Sequence, residues 1–163
     1  MSQAKQPTNT GALATLVIVF FFWGFIAASN SIFIPFAKNH FNLNQFESQL
    51  IGSAFYGAYF IGSLILFILS NLFGYDILNK IGYKKGIIYG LGISVVGALL
   101  IIPSANANSF PAILGSFFIV ALGFSLQQTS AQPFAITLGD PSTGSHRLNL
   151  AGGVNSLGTT LGP

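Results

Sequence analysis

The stretch that decides the fold is LATLVIVFFFWGFIAASNSIFIPF, residues 13–36, an almost unbroken apolar run near the start of the chain. It is longer than the roughly 20 residues that a helix needs to cross the ~30 Å hydrocarbon layer of a membrane. Past Thr15, its polar side chains are Ser29, Asn30 and Ser31. The run is too long and too aromatic for a cleaved signal peptide. It therefore predicts a first transmembrane helix that stays in the protein.

Three further apolar runs of spanning length follow, at residues 49–75, 86–102 and 111–138, and Pro103 closes the second of these. A fifth run begins at Leu148 and reaches Pro163, short of the roughly 20 residues required. The pattern predicts an all-α membrane protein with four complete transmembrane helices and the start of a fifth. We expect the sequence to be truncated within that fifth helix, because a half-inserted helix would leave polar backbone ends in lipid.

The composition excludes several other classes of protein. Of the 163 residues, 52% are hydrophobic and only 6% are charged, which is far too little charge for a water-soluble domain. A net charge of +3, without any basic cluster larger than Lys84 and Lys85, does not predict nucleic-acid binding. The chain has no cysteine and two histidines, so no metal site or other cofactor is implied. An enzyme is the least expected function, because three acids and two histidines cannot assemble a nucleophile, a base and an orienting group at membrane depth.

The basic residues indicate how the chain crosses the membrane. Those predicted on one side of it are Lys5, Lys80, Lys84, Lys85 and Arg147, whereas Lys38 falls on the other. The positive-inside rule therefore predicts a cytoplasmic N-terminus, with the loops that hold Lys38 and Asn106 outside. We expect the membrane to be the plasma (inner) membrane.

Small residues recur every four positions in the third span and at the end of the chain. The third span carries Gly86, Gly90, Ser94 and Ala98, and the fifth carries Gly158 and Gly162. Such stripes allow another helix backbone to approach closely, although membrane helices are rich in glycine in general.

Two clusters of neutral polar residues lie where lipid-facing sequence would be apolar. In the first span Asn30 and Ser31 precede Pro35, whose ring removes the hydrogen bond that the Ser31 carbonyl would accept. In the fourth span Gln128 and Thr129 precede Pro133 at the same spacing. Matching interruptions in helices one and four are typical of the two repeats of a transporter half, and they predict a binding site there.

Amide side chains at depth suit a particular kind of ligand. Gln132 shares a helical face with Gln128, and each amide presents both a donor and an acceptor to the paired hydroxyls of a neutral sugar. Trp23, on roughly the same helical face as Asn30, could stack on the C–H face of a sugar. Intramembrane amides also join neighbouring helices, which is the expected role of Gln127. The same two roles remain open for Asn155 in the fifth span.

The string FFFWGFIAASNSIFIP at Phe20–Pro35 resembles the first helix of the fucose permease and glucose/galactose transporter family of the major facilitator superfamily. Three further stretches resemble that family in the same order: SAFYGAYFIG from Ser53, IGYKKGIIYGL from Ile81 and RLNLAGGVNSLGTTLGP from Arg147. The resemblance implies a twelve-helix transporter of a monosaccharide such as fucose, glucose or galactose. Residues 1–12 would be a cytoplasmic N-terminal tail, and residues 13–163 most of the N-terminal six-helix half, with the C-terminal half as its missing partner.

The resemblance also implies roles for particular residues. The superfamily has a cytoplasmic motif between helices two and three, and its tail is matched here by Gly82, Lys84 and Lys85. The position of the motif that is usually acidic is occupied here by Asn79. The proton-coupled fucose permease carries an Asp and a Glu at the positions that align here with Ser31 and Gln128. The side chains of Ser31 and Gln128 cannot titrate.

These differences from the fucose permease at Ser31 and Gln128 leave the coupling ion open. We expect either another cation or a proton site in the missing half first, and uniport second. A Gln often found in the family's fifth helix aligns with Gly152, whereas the family's Asn is retained as Asn155. The expected function is secondary transport of a neutral monosaccharide by alternating access, through Asn30, Ser31, Gln128, Gln132, Asn155 and Trp23.

Two alternatives to sugar transport remain. A transporter of drugs or other small hydrophobic molecules would have the aromatic residues seen here, but would need a carboxylate for cationic compounds. A non-transporting membrane protein with five spans would be complete without a second set of six helices.

Overall fold

The computed structural model describes residues 6–162, so Lys5 in the predicted N-terminal tail and Pro163 lie outside the described residues. The described chain is helical, with a short 3-10 turn at Pro141–Thr143. The helices are α1 (Thr10–His40), α2 (Gln45–Phe73), α3 (Ile77–Ile81), α4 (Tyr83–Asn106), α5 (Phe110–Thr137) and α6 (Gly144–Leu161). Four of the helices in residues 6–162, α1, α2, α4 and α5, are long and apolar enough to cross a membrane. The predicted spans are confirmed as these four helices.

The third span ends later than the sequence predicted. Pro103 was expected to close it, but Pro103 lies inside α4, which continues to Asn106. The helix continues because a proline within the last turn removes only its own N–H bond to the preceding turn. The main-chain N–H of Ala107 then donates to the Pro103 carbonyl at 2.9 Å.

The described chain divides into two compact units, one containing the chain up to Phe33 and from Ala131 onward, the other Ile34–Ser130. In the first unit, α6 packs backbone to backbone against α1. A Cβ atom added to Gly24 would overlap the Asn155 carbonyl oxygen, and one added to Gly158 would overlap the carbonyl oxygen of Phe21. The close approach predicted for Gly158 is therefore confirmed, and Gly24 is its counterpart on α1.

In the second unit, α4 packs against α5 through the predicted stripe of small residues. Gly86, Gly90 and Ser94 are buried, and a Cβ atom at Gly90 would meet the Gly123 carbonyl oxygen at 2.7 Å. The stripe then continues through buried Gly97, whereas Ala98 is exposed, so the prediction for Ala98 was wrong. A helix turns once every 3.6 residues, so a strict spacing of four drifts off the contact face by the third step.

Buried polar side chains join α4 and α5 across this contact. The Gln127 amide donates to Ser94 Oγ at 3.0 Å, and Ser94 Oγ donates to the Val120 carbonyl at 3.1 Å. Ser104 and Ser116 lie 3.3 Å apart through their hydroxyls. Gln127 is 2% exposed, which confirms the expectation that it joins neighbouring helices.

Candidate functional site

Asn155 and Trp23 each contact Phe20 in the first unit. The Asn155 Nδ2 group donates to the Phe20 main-chain carbonyl at 2.9 Å, which ties the middle of α6 to α1. Trp23 is 4% exposed, and the centroid of its ring lies 4.7 Å from that of Phe20. One N–H of the Asn155 amide is used in this way, so its carbonyl oxygen and second N–H are available for another partner.

The other polar candidates in the first unit are more open. Asn30 is half-buried, and Ser31 and Gln132 are exposed. Ser31 Oγ donates to the Ala28 carbonyl of its own helix at 2.7 Å. Asn30 and Gln132 therefore each place a side-chain amide on the first unit.

Gln128 lies in the second unit, where its orientation is set by Tyr59. The Tyr59 hydroxyl, on α2, donates to Gln128 Oε1, on α5, at 3.0 Å, and both side chains are half-buried. One turn further along α2, the hydroxyls of Ser63 and Ser125 lie 3.0 Å apart. Because its oxygen accepts from Tyr59, the Gln128 amide turns its two N–H donors away from that bond.

The prolines that accompany the two polar clusters lie inside helices. α1 continues past Pro35 to His40, and α5 continues past Pro133 to Thr137. A proline in a helix interior removes one hydrogen bond and exposes a carbonyl one turn back. Both helices nevertheless run through their prolines, so the predicted interruptions of α1 and α5 are not observed.

Arg147 has a structural role that sequence reasoning missed, because the sequence presents it only as one of the basic residues that set orientation. The residue is 2% exposed. Arg147 Nε donates to the Ala135 carbonyl at 2.8 Å, and Nη2 donates to the carbonyls of Ile136 at 2.5 Å and Asp140 at 3.0 Å. These are carbonyls at and just beyond the end of α5, which lack partners within the helix. Arg147 therefore fastens the end of α5 to the start of α6.

The junction between α2 and α4 contains the residues of the predicted loop motif. Asp76 Oδ1 accepts from the main-chain N–H of Leu78 at 2.8 Å and so caps the short helix α3, which the sequence did not predict. Gly82 has φ +90°, a left-handed conformation that favours glycine. Lys84 and Lys85 follow it as exposed residues in the first turn of α4.

The junction also settles what Asp76 does. Its carboxylate acts at a helix end, where it caps α3. Lys80 Nζ instead lies 4.3 Å from the centre of the Tyr75 ring and donates to the Tyr75 hydroxyl at 3.2 Å.

Helices of membrane length joined by short turns, with neutral amides within them, define a multi-pass membrane protein. The chain belongs to the Major Facilitator Superfamily, whose family model matches residues 8–163. Its all-helical fold corresponds to the N-terminal part of the fold of the fucose transporter FucP.

Several known proteins are similar over nearly the whole chain. A glucose/galactose transporter of Brucella abortus is 41% identical over 163 residues, which is 99% of this chain and 38% of that protein. The L-fucose-proton symporter of Escherichia coli is 38% identical over 148 residues, covering 91% of this chain and 32% of that protein. The crystal structure of FucP in the outward conformation matches with a TM-score of 0.74 and 37% identity, over 92% of this chain and 34% of that one. The chain spans about a third of the length of the curated relatives that it matches.

Proposed function

We propose that this chain is the N-terminal part of a secondary transporter that carries a neutral monosaccharide of the glucose, galactose or fucose type by alternating access. The observation that carries the proposal is the Tyr59–Gln128 hydrogen bond, which fixes an uncharged amide within α5 with its N–H donors unspent. Oriented donors of this kind suit the oxygen of a sugar hydroxyl and give no advantage to an apolar compound. The names of the similar transporters support the same substrate class.

The proposed sugar site consists of the polar side chains on the membrane-spanning part of the chain, with an aromatic wall. Its proposed members are Asn30, Ser31, Gln128, Gln132, Asn155 and Trp23. Asn30 supports this assignment, since its half-buried amide has no hydrogen-bond partner among residues 6–162. An amide in that position is costly in a membrane unless a ligand, water or another part of the protein pairs with it.

The wider organisation is part of the same proposal. Residues 1–12 would be a cytoplasmic tail, and residues 13–163 most of a half-domain that works with a C-terminal half of the same transporter in the inner membrane. Gly82, Lys84 and Lys85 would face the cytoplasm and contribute to the turn that holds α2 and α4 together. The protein would have no nucleic-acid partner, and the bilayer lipids would surround its apolar helices.

The coupling ion is proposed on chemical grounds. Ser31 and Gln128 cannot release a proton at physiological pH, so this part of the chain would not carry a coupling proton at those positions. We place the coupling group in the C-terminal half, or assign the coupling to a cation other than the proton. Uptake driven separately by an imposed proton gradient and an imposed sodium gradient would distinguish these, and uptake that needs neither would identify a uniporter.

The test of the proposed function is sugar uptake by the protein encoded by the complete reading frame. Cells or proteoliposomes containing it should accumulate or exchange radiolabelled D-glucose, D-galactose or L-fucose. Gln128→Ala should lower the kcat/KM of uptake at least ten-fold at an unchanged membrane level. Gln49→Ala is the matched control, because Gln49 is an exposed amide near the start of α2. Absence of uptake and exchange for all three sugars would contradict the proposal.

A further inference from the structure

A cleft of about 340 Å³ lies within the second unit, beside the half of α2 that leads to α3. Its volume falls in the range of roughly 300–1,000 Å³ that is usual for small-molecule sites. The cleft is lined by Ser63, Leu66, Phe67, Ser70, Asn71, Asp76, Leu78 and Thr129. Five of these eight side chains carry polar atoms, which is unusual for a groove on a membrane-spanning helix.

The polar groups of the cleft retain unused hydrogen-bonding capacity. Ser70 Oγ accepts from the main-chain N–H of Ile77 at 3.4 Å, which leaves its own O–H as a donor. Asn71 Nδ2 uses one N–H on the Phe67 carbonyl at 3.2 Å and keeps a second N–H and its side-chain oxygen. Thr129 Oγ1 donates to the Ser125 carbonyl at 2.8 Å and keeps its lone pairs as acceptors. These three side chains thus leave both donors and acceptors unused.

The charge of the cleft disfavours an anionic ligand. Asp76 is the ionisable residue in its lining, and its carboxylate already accepts from three N–H groups. These are the main-chain N–H groups of Leu78 and Asn79, at 2.8 and 3.4 Å, and the Asn79 side-chain amide at 3.3 Å. A carboxylate held by such donors keeps its negative charge and therefore repels an anionic ligand. Phe67 adds an apolar ring on which the C–H face of a sugar can stack.

The cleft adjoins the Tyr59–Gln128 pair without containing it. Ser63 follows Tyr59 by one helical turn, about 6 Å along α2, and Thr129 follows Gln128 directly on α5. From there the cleft extends along α2 towards Asp76, at the end where the basic loop lies. A ligand that leaves Gln128 in that direction would meet Ser63 and Thr129 first, then Ser70 and Asn71.

We infer that this cleft is a second binding site for a neutral monosaccharide, separate from Gln128 and placed between that residue and the basic-loop end of the protein. The inference rests on the proposed function for the identity of the sugar. Ser63, Ser70, Asn71 and Thr129 supply the hydrogen bonds, and Phe67 supplies the stacking surface. The site holds the sugar on its way to or from the aqueous phase on that side.

The experiment uses the fact that these 163 residues contain no cysteine. Leu66→Cys places a thiol in the cleft without removing a polar group, and Asn106→Cys places one at the exposed end of α4 as a water-accessible control. Both are made in the protein encoded by the complete reading frame, and the unsubstituted protein accounts for thiols elsewhere. The measured quantity is the rate of labelling by a small water-soluble methanethiosulfonate, with and without D-glucose, D-galactose or L-fucose.

We expect at least one of the three sugars to slow labelling at Leu66→Cys three-fold or more, and to leave labelling at Asn106→Cys unchanged. The protection should persist when Gln128→Ala is added, and should disappear when Ser70→Ala and Asn71→Leu are added instead. Protection that vanishes with Gln128→Ala, or that survives the loss of both cleft residues, would overturn the inference.

The uptake measurement separates this inference from the proposed function. Sugar uptake without protection at Leu66→Cys would reject the second site and leave the transport proposal standing. If no sugar is taken up or exchanged, the proposed function fails. Protection at Leu66→Cys in such a protein would then still establish sugar binding in the cleft, and its absence would reject both.

Discussion

The side chain of Asn155 donates a 2.9 Å hydrogen bond to the main-chain carbonyl of Phe20, and so joins the middle of α6 to α1. This bond lies beside Gly24, where the two backbones are too close for any side chain. The same amide is a candidate for sugar contact. It therefore has a structural role whatever its role in transport.

Asn155→Leu should destabilise the protein, because it removes the interhelical bond and leaves the Phe20 carbonyl without this donor. Interhelical hydrogen bonds in membranes contribute roughly 0.5–2 kcal/mol, so a measurable fall in the melting temperature in detergent is expected. Ser156→Ala is the control, because Ser156 is exposed and bonds only within its own helix. Equal melting temperatures for the two variants would contradict the structural role of Asn155.

Tyr59→Phe should weaken sugar binding without abolishing transport. The change removes the donor that orients Gln128, and a bond of this kind contributes about 1 kcal/mol. We expect the KM for sugar uptake to rise roughly three- to ten-fold. Tyr56→Phe is the matched control, because Tyr56 is 72% exposed on the same helix. A KM that rises as much for Tyr56→Phe would show that the orientation of Gln128 is not the cause.

Gly158→Val should prevent α1 and α6 from packing. A Cβ atom at Gly158 would overlap the Phe21 carbonyl oxygen, so the two backbones would have to separate. We expect loss of the monodisperse peak in fluorescence-detected gel filtration. Gly152→Val tests helix propensity alone, because a Cβ atom at Gly152 meets nothing within 4 Å. A monodisperse Gly158→Val protein would contradict the close contact.

Arg147→Lys should be strongly destabilising although it keeps the positive charge. A lysine ammonium cannot reproduce the planar guanidinium, which reaches Ala135, Ile136, Asp140 and Thr143 from one buried position. Each hydrogen bond from a charged group contributes roughly 1.5–3 kcal/mol, so we expect a loss of about 3 kcal/mol in unfolding free energy. His146→Gln, an exposed neighbour, should leave stability unchanged. An unchanged melting temperature for Arg147→Lys would show that a positive charge alone suffices at this position.

The proposed orientation can be tested by labelling from outside intact cells. A cysteine introduced by Asn106→Cys, at the exposed end of α4, should react with an impermeant maleimide in intact cells. One introduced by Lys84→Cys, at the exposed start of the same helix, should react only after the membrane is permeabilised. The opposite pattern would reverse the proposed topology.

The sequence alone determined the class of fold, the number of membrane-length helices and the family. It could do so because a chain in lipid must satisfy its backbone hydrogen bonds within each segment, which makes a spanning helix visible as a long apolar run. Close contact at Gly158 and the structural role of Gln127 were also predictable. Glycine and buried amides have few other uses where a second helix approaches.

Only the tertiary structure showed that the small-residue contact passes from Ser94 to Gly97, that Asp76 starts a short helix, and that Arg147 holds the end of α5. The same is true of the partnership between Tyr59 and Gln128, which are 69 positions apart in the chain. Hydropathy reports whether a residue suits lipid, and it carries no information on which helix faces which. That pairing depends on how side chains of neighbouring helices fit and hydrogen-bond in three dimensions.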